Sequence, residues 1–288
     1  MTNVNFPAAR NHPILHAAPT FRPIRRGRRR KGIENVYKAK SGTLKVAMFH
    51  ELDIADQDLL LCVLSIARSE MYREFIEQNS QILEALELDL KGRSSGGESA
   101  FALMDLPAIK LSLSRYELLK ELQKSTTGSK NYDWLKDALR RLSLVNFSYD
   151  GEYWSGSFNL MSYRFNEESE QFDIYINPIS AHSIYASGYV FINRTERHLL
   201  NADASRALHA YLSGVVRSGE SRFINLDTMA SYVFAAQNEE PTKKQTERRR
   251  SIIKESLNEI SSTLDCWDIS ILGKGKTAKA NIKRKDLS

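Results

Sequence analysis

Residues 203–234, DASRALHAYLSGVVRSGESRFINLDTMASYVF, and 243–284, KKQTERRRSIIKESLNEISSTLDCWDISILGKGKTAKANIKR, decide the fold. The first stretch opens with a helix over 204–216, whose apolar side are Leu208, Ala210, Tyr211, Leu212 and Val215. A short strand follows over 222–226, and Asp227 caps a helix that runs through Phe234. After a polar break over 237–242, a long helix carries Ile253, Leu257, Ile260 and Leu264 at intervals of three and four, the spacing of one helical face. A hairpin closes the region, with strands over 267–272 and 277–284 joined through Gly273 to Lys276. Helix, strand, helix, break, helix, hairpin is the winged-helix form of helix-turn-helix. In that form the third helix enters the major groove and the hairpin lies along the backbone.

The same order occurs earlier in the chain. A strand over 44–49 precedes a helix over 55–67 behind the capping residue Asp53, with Leu59, Leu60, Val63, Leu64 and Ala67 apolar. A strand over 109–113 leads into a helix at Ser114, and a breaker stretch over 125–130 separates it from a helix over 132–142 carrying Leu135, Ala138, Leu139 and Leu142. Strands over 145–149, 156–165 and 172–176 follow. The expected fold class is therefore α+β, two tandem winged-helix domains over about 45–182 and 183–288. An amphipathic segment over 72–90, within an insertion of about 72–100, packs on its own domain or contacts a partner protein.

Residues 1–44 read as a basic, largely disordered arm, because 1–31 hold four of the seven prolines and little apolar surface to offset chain entropy. Its basic run is Arg25, Arg26, Arg28, Arg29, Arg30 and Lys31. Such an arm either stays solvated or neutralises phosphates and enters a minor groove.

Charge is segregated along the chain. Residues 1–45 carry eleven Lys/Arg against one acid and 243–288 carry twelve against six, while the segment between carries eighteen against twenty-eight. A basic zone on each side of an acidic body suits a polyanion such as nucleic acid. In the second repeat the basic residues fall on the long helix (Lys243, Lys244, Arg248, Arg249, Arg250, Lys254) and on the hairpin (Lys274, Lys276, Lys279, Lys283, Arg284). With Ile253, Leu257, Ile260 and Leu264 inward, Lys244, Arg248, Ser251 and Glu255 point outward, which aims Arg248 at base edges. Arg249 and Arg250 lie nearer the buried side, and either brace phosphates or pair with carboxylates of the body. The same wheel turns Asp133, Asp137, Arg140 and Arg141 outward in the first repeat, so the second repeat is the principal DNA reader.

Several chemistries lack their residues. Gly273-Lys274-Gly275-Lys276-Thr277 resembles the end of a phosphate-binding loop, but Ser270 stands where the first glycine is needed and a strand follows. His12, His16, His50, His182, His198 and His209 form no metal-ligand set, and Cys62 and Cys266 have no partnering cysteine nearby in the sequence. No catalytic residue, metal or cofactor is expected. Apolar runs are too short to span a membrane, and nothing at the N-terminus reads as a secretory signal, so a cytoplasmic location is expected.

The stretches 21–27, 135–144, 172–178 and above all 199–214, 224–234 and 243–260 resemble the RepC-type replication initiators of IncQ-class plasmids. The resemblance runs from about residue 21 to 279, and the insertion over 72–100 departs from it. It implies a paired winged-helix protein that binds repeated origin sequences (iterons) in double-stranded DNA, promotes local opening, and recruits a plasmid-encoded helicase and primase. It also implies a bacterial, plasmid- or nucleoid-associated protein, with the monomer and the homodimer both open as the active form. The alternative on the same architecture is a transcriptional regulator of its own promoter.

Overall fold

A computed structural model describes residues 8–11, 16, 18–24, 29–39, 42–78, 109–151, 155–177, 180–181, 184, 189–234 and 241–286. Arg25, Arg26 and Arg28 lie outside these residues, as does most of the insertion. Two compact units result. The first comprises Met1–Ala18, Arg30–Glu51 and Ala55–Tyr189, and the second Pro19–Arg29, Leu52–Ile54 and Val190–Ser288. Among the described residues no helix is long and apolar enough to cross a membrane.

In chain order the strands of the first unit are β1 (Ala8–Asn11), β2 (Lys31–Ala39), β3 (Gly42–His50), β4 (Ile109–Ser114), β5 (Val145–Gly151), β6 (Ser155–Asn159), β7 (Met161–Asn166) and β8 (Gln171–Ile176). Its helices are α1 (Ile54–Gln78), α2 (Arg115–Glu121) and α3 (Ser129–Ser143). One antiparallel sheet has the order β2-β3-β5-β6 and a second the order β4-β8-β7. Strict alternation in β3 buries Leu44, Val46 and Met48, which face Tyr149, Phe147 and Val145 of β5 across the ladder. Ser114 caps α2 in a reciprocal capping box with Glu117, and α3 buries Leu135, Ala138, Leu139 and Leu142 as its stripe requires.

Three features of this unit differ from the sequence expectation. Residues 31–39, read as the end of a free arm, form β2, because Ile33, Asn35 and Tyr37 alternate inward and the ladder with β3 absorbs the backbone polar groups. The strand expected over 156–165 is broken at Leu160. That residue still donates its N–H to the Val145 carbonyl at 2.9 Å, but its own carbonyl accepts from Asn177 Nδ2 at 2.5 Å. The chain consequently leaves one sheet as β6 and enters the other as β7. Arg141, expected to point outward, lies inside: its Nε and Nη2 bond both oxygens of the fully buried Asp56 of α1 at 2.7–3.2 Å.

The second unit contains β9 (Val190–Asn193), α4 (Arg194–Leu199), α5 (Asp203–Val215), β10 (Ser221–Asn225), α6 (Leu226–Val233), α7 (Lys243–Thr263), β11 (Trp267–Leu272) and β12 (Lys279–Arg284). Its antiparallel sheet has the order β10-β12-β11, so the strand between the first two long helices pairs with the returning arm of the terminal hairpin. Leu208 and Leu212 of α5, Met229 and Val233 of α6, and Ile253, Leu257 and Ile260 of α7 meet in one buried cluster with Trp267, Ala280 and Ile282. Each such large aliphatic contributes roughly 1.5–3 kcal/mol of transfer free energy. Pro19–Arg29 joins this unit too. Phe21 packs against the cluster, Arg22 donates its N–H to the Leu52 carbonyl at 3.2 Å, and Arg29 pairs with Asp53.

Beneath the sheet lies a buried polar network. Glu196 Oε2 accepts from Trp267 Nε1 at 2.9 Å and from His209 Nε2 at 2.8 Å, and Glu196 Oε1 accepts from Asn193 Nδ2 at 2.8 Å. Burial alone would raise the Glu196 pKa, but the hydrogen bonds from His209 and Trp267 outweigh it and hold the carboxyl at about 2. Burial lowers the His209 pKa against the opposing pull of Glu196, which keeps the imidazole neutral.

Candidate nucleic-acid interface

The interface starts at the N-terminus of α7. Thr242 accepts the Gln245 N–H while the Gln245 side chain accepts the Thr242 N–H, a capping box that fixes the first turn. From there the apolar stripe dictates the rest. With Ile253, Leu257, Ile260 and Leu264 buried, Lys243, Lys244, Arg248, Ser251 and Glu255 are exposed, and Lys254 is half-buried at the side. The phase of the helix matches the sequence wheel. Ser251 donates to Glu255 at 3.0 Å, so its hydroxyl is partly engaged within the helix.

Arg249 and Arg250 are held by the body of the unit. Arg250 Nε and Nη2 each lie 2.6 Å from an oxygen of Asp227, near the start of α6. The fork lowers the Asp227 pKa below the usual carboxylate range and raises that of the guanidinium. Arg249 lies over the Phe234 ring, 5.8 Å from its centroid, and its partial burial lowers its pKa. Asp227 itself is inside α6: Asn225 is the cap, accepting the Asp227 N–H at 2.8 Å.

The hairpin brings a second set of cations. Its tip turns at Gly273 (φ 77°) and Gly275 (φ 60°), positions in the left-handed region where a side chain would be strained, and a short 3-10 turn over Gly275–Thr277 leads into β12. Asn225 Nδ2 donates to the Lys276 carbonyl at 3.2 Å, tying the tip to the start of α6. Lys274, Lys276, Lys279 and Lys283 are exposed. Among the described residues no carboxylate forms an ion pair with any of these four, nor with Lys243, Lys244, Arg248 or Lys254.

Arg284 departs from the expectation. Only 4% exposed, it stacks on the Trp267 ring at 4.9 Å, because β12 alternation places it with Ala280 and Ile282 on the inner face. It cannot reach DNA. Of the N-terminal basic run, Arg29 pairs with Asp53 and Arg30 bonds the buried Glu51 through its side chain at 3.1 and 3.3 Å, whereas Lys31 is exposed at the start of β2. Nothing in the local sequence marks these pairings, since each partner is more than twenty residues away.

In the first unit α3 and the β7–β8 turn, taken together, mix exposed carboxylates with exposed cations. Asp133 and Asp137 are exposed on α3 beside Lys136 and Arg140, and the turn between β7 and β8 exposes Glu167, Glu168 and Glu170. Of these elements only the β7–β8 turn is uniformly acidic.

These geometries accompany one comparison that covers almost the whole chain: the family model for replication protein C (RepC) matches residues 3–284. The chain belongs to the RepC replication protein family. No curated protein matches the sequence. Among solved structures, this RepC-family chain is similar to a selenomethionine derivative of domains 2 and 3 of RctB, with a TM-score of 0.52 at 10% identity over 94% of this chain and 96% of that one. A second structure of RctB domains 2–3 has a TM-score of 0.47 at 10% identity and the same coverages. At that identity the likeness is one of fold.

Proposed function

We propose that this RepC-family protein is a non-enzymatic initiator of plasmid replication, of the kind found on IncQ-class plasmids, that binds repeated origin sequences in duplex DNA. On this reading both units are winged-helix domains. In each, a strand pairs with a C-terminal hairpin to give a three-stranded sheet, β4-β8-β7 in one and β10-β12-β11 in the other. The second unit is the reader. The observation that carries this is the segregation of unpaired cations onto the exposed side of α7 and onto the β11–β12 hairpin, the two elements a winged helix lays against DNA. Arg248 reaches base edges from the groove-facing side of α7, while Lys274 and Lys276 at the hairpin tip contact backbone. Local opening and recruitment of a plasmid helicase and primase follow from the family resemblance, as does action in the bacterial cytoplasm.

Competition binding across a salt series tests the proposal. With about six phosphate contacts, log affinity should fall with log salt at a slope near −5. Duplex carrying the repeats from the protein's own origin should outcompete random duplex. Equal affinity for both at every salt concentration would refute sequence-specific binding, and preference for a single promoter palindrome over direct repeats would point to a transcriptional regulator instead.

A further inference from the structure

The open face of the β10-β12-β11 sheet carries an aromatic ring, Phe223, that the duplex reading does not use. Phe223 is 61% exposed at the centre of β10, opposite Asn281 of β12, an unusual place for a large aromatic ring on a solvent-facing strand. In the antiparallel register its diagonal neighbours are Lys279 and Lys283, and Lys279 Nζ already lies 5.0 Å from the ring centroid. Those lysines are four residues apart on one strand, about 14 Å at about 3.4 Å per residue. Asn281 and Ser221, hydrogen-bonded to each other at 2.8 Å, and Ser270 of β11 add amide and hydroxyl groups around the ring. Asp268, opposite Lys283, is the face's one carboxylate among these paired strands.

On the β4-β8-β7 sheet of the first unit the corresponding lysine is held in an ion pair, and Arg164 lies opposite the same carboxylate. There Lys110 lies 5.9 Å from the Tyr175 ring centroid, but its ammonium is also paired with Asp173 at 3.2 Å, and Asp173 is further bonded by Ser112 at 2.6 Å. One sheet therefore presents an aromatic ring between two lysines free of ion pairs among the described residues. The other presents a ring beside an internal ion pair.

We infer that the open β10-β12-β11 face is a second DNA site, distinct from α7, on which single-stranded DNA stacks a base on Phe223 while Lys279 and Lys283 hold the flanking phosphates. A stacking aromatic between cations, with polar side chains at base-edge height, is the arrangement that takes unpaired strands without strong sequence preference. Duplex DNA cannot stack a base on the ring, because its bases are already stacked on each other. The charge favours nucleic acid over an acidic protein surface: a protein partner would need to satisfy two lysines and bury a ring, whereas each internal nucleotide of a strand supplies a base flanked by its 5′ and 3′ phosphates.

The experiment uses the full chain and a fluorescent 20-mer of mixed sequence, single-stranded or annealed, followed by anisotropy. Phe223→Ala should weaken single-strand binding by about 5-fold or more, the lower end of one base–aromatic stack, and leave duplex affinity within about twofold. Phe223→Trp should bind the single strand at least as well as the parent. Tyr175→Ala in the first unit should change neither. The inference is overturned if Phe223→Ala binds the single strand like the parent, if it loses single strand and duplex in equal proportion, or if Tyr175→Ala imitates it. Loss of binding only to a duplex carrying the origin repeats in an Arg248→Ala chain, with single-strand binding retained, separates this site from the α7 reader.

Discussion

Changing Arg250 to Ala should weaken the protein in a way that Arg248→Ala does not, although the two residues are separated by one position in a uniformly basic stretch. Arg250 is 13% exposed and grips both oxygens of Asp227 at 2.6 Å, while Arg248 projects into solvent. A buried hydrogen bond to a charged group contributes about 1.5–3 kcal/mol. Asp227, however, is 41% exposed, and pairs with such access to water approach the 0.2–1 kcal/mol of surface ion pairs, so the bidentate fork is worth about 1–2 kcal/mol. For a unit of this size that corresponds to a melting temperature lower by about 4–10 °C. Asp227→Ala should cost a similar amount, and the double variant little more than either, since both remove one interaction. Arg248→Ala should melt like the parent, yet lose roughly 1–3 kcal/mol on origin duplex and blur one or two base positions. Differential scanning calorimetry and competition binding on the same preparations give both readouts. If Arg250→Ala melts like the parent and erases origin preference while Arg248→Ala is silent, α7 presents a different face to DNA and the assignment of Arg248 is refuted.

Three further outcomes are expected. Lys276→Ala, at the hairpin tip, should lower origin and random binding alike and flatten the salt slope by about one unit; a changed base preference would show that the tip reads sequence. Phe21→Ala should cost about 1–2 kcal/mol of stability in thermal melting, because the ring is partly buried against the second unit's core, and an unchanged melting point would return residues 19–24 to the status of a free arm. Stability should also fall as pH drops. His209, with its folded pKa depressed by burial, begins to favour the unfolded chain below its ordinary value of about 6.5, and Glu196, held at about 2, contributes on the order of 3 kcal/mol that disappears between about pH 4.5 and 2. Glu196→Gln should therefore melt lower at pH 7, with the gap to the parent narrowing below about pH 4.5; a constant gap across that range would show that the charge of Glu196 is not what stabilises the network.

The amino-acid sequence by itself determined the order of elements in the second unit and the phase of α7, because both are local properties. A four-residue apolar recurrence such as Ile253, Leu257, Ile260 and Leu264 has one way to face a core, and Arg248 is then outward by geometry alone. The Gly273 to Lys276 turn was legible for the same reason, since positive φ is a demand on single residues. Which cations remain available to DNA was decided only by the tertiary structure. Arg250 is withdrawn by Asp227, 23 residues away, Arg141 by Asp56, 85 residues away, and Arg284 by the ring of Trp267 across a β-ladder. The strand at 31–39 and the docking of Phe21 were equally out of reach, since a polar, weakly alternating segment becomes a strand only when a partner supplies the ladder. Charge composition counts every basic side chain alike; folding removes from that count the ones whose carboxylate or aromatic partner arrives from elsewhere in the chain.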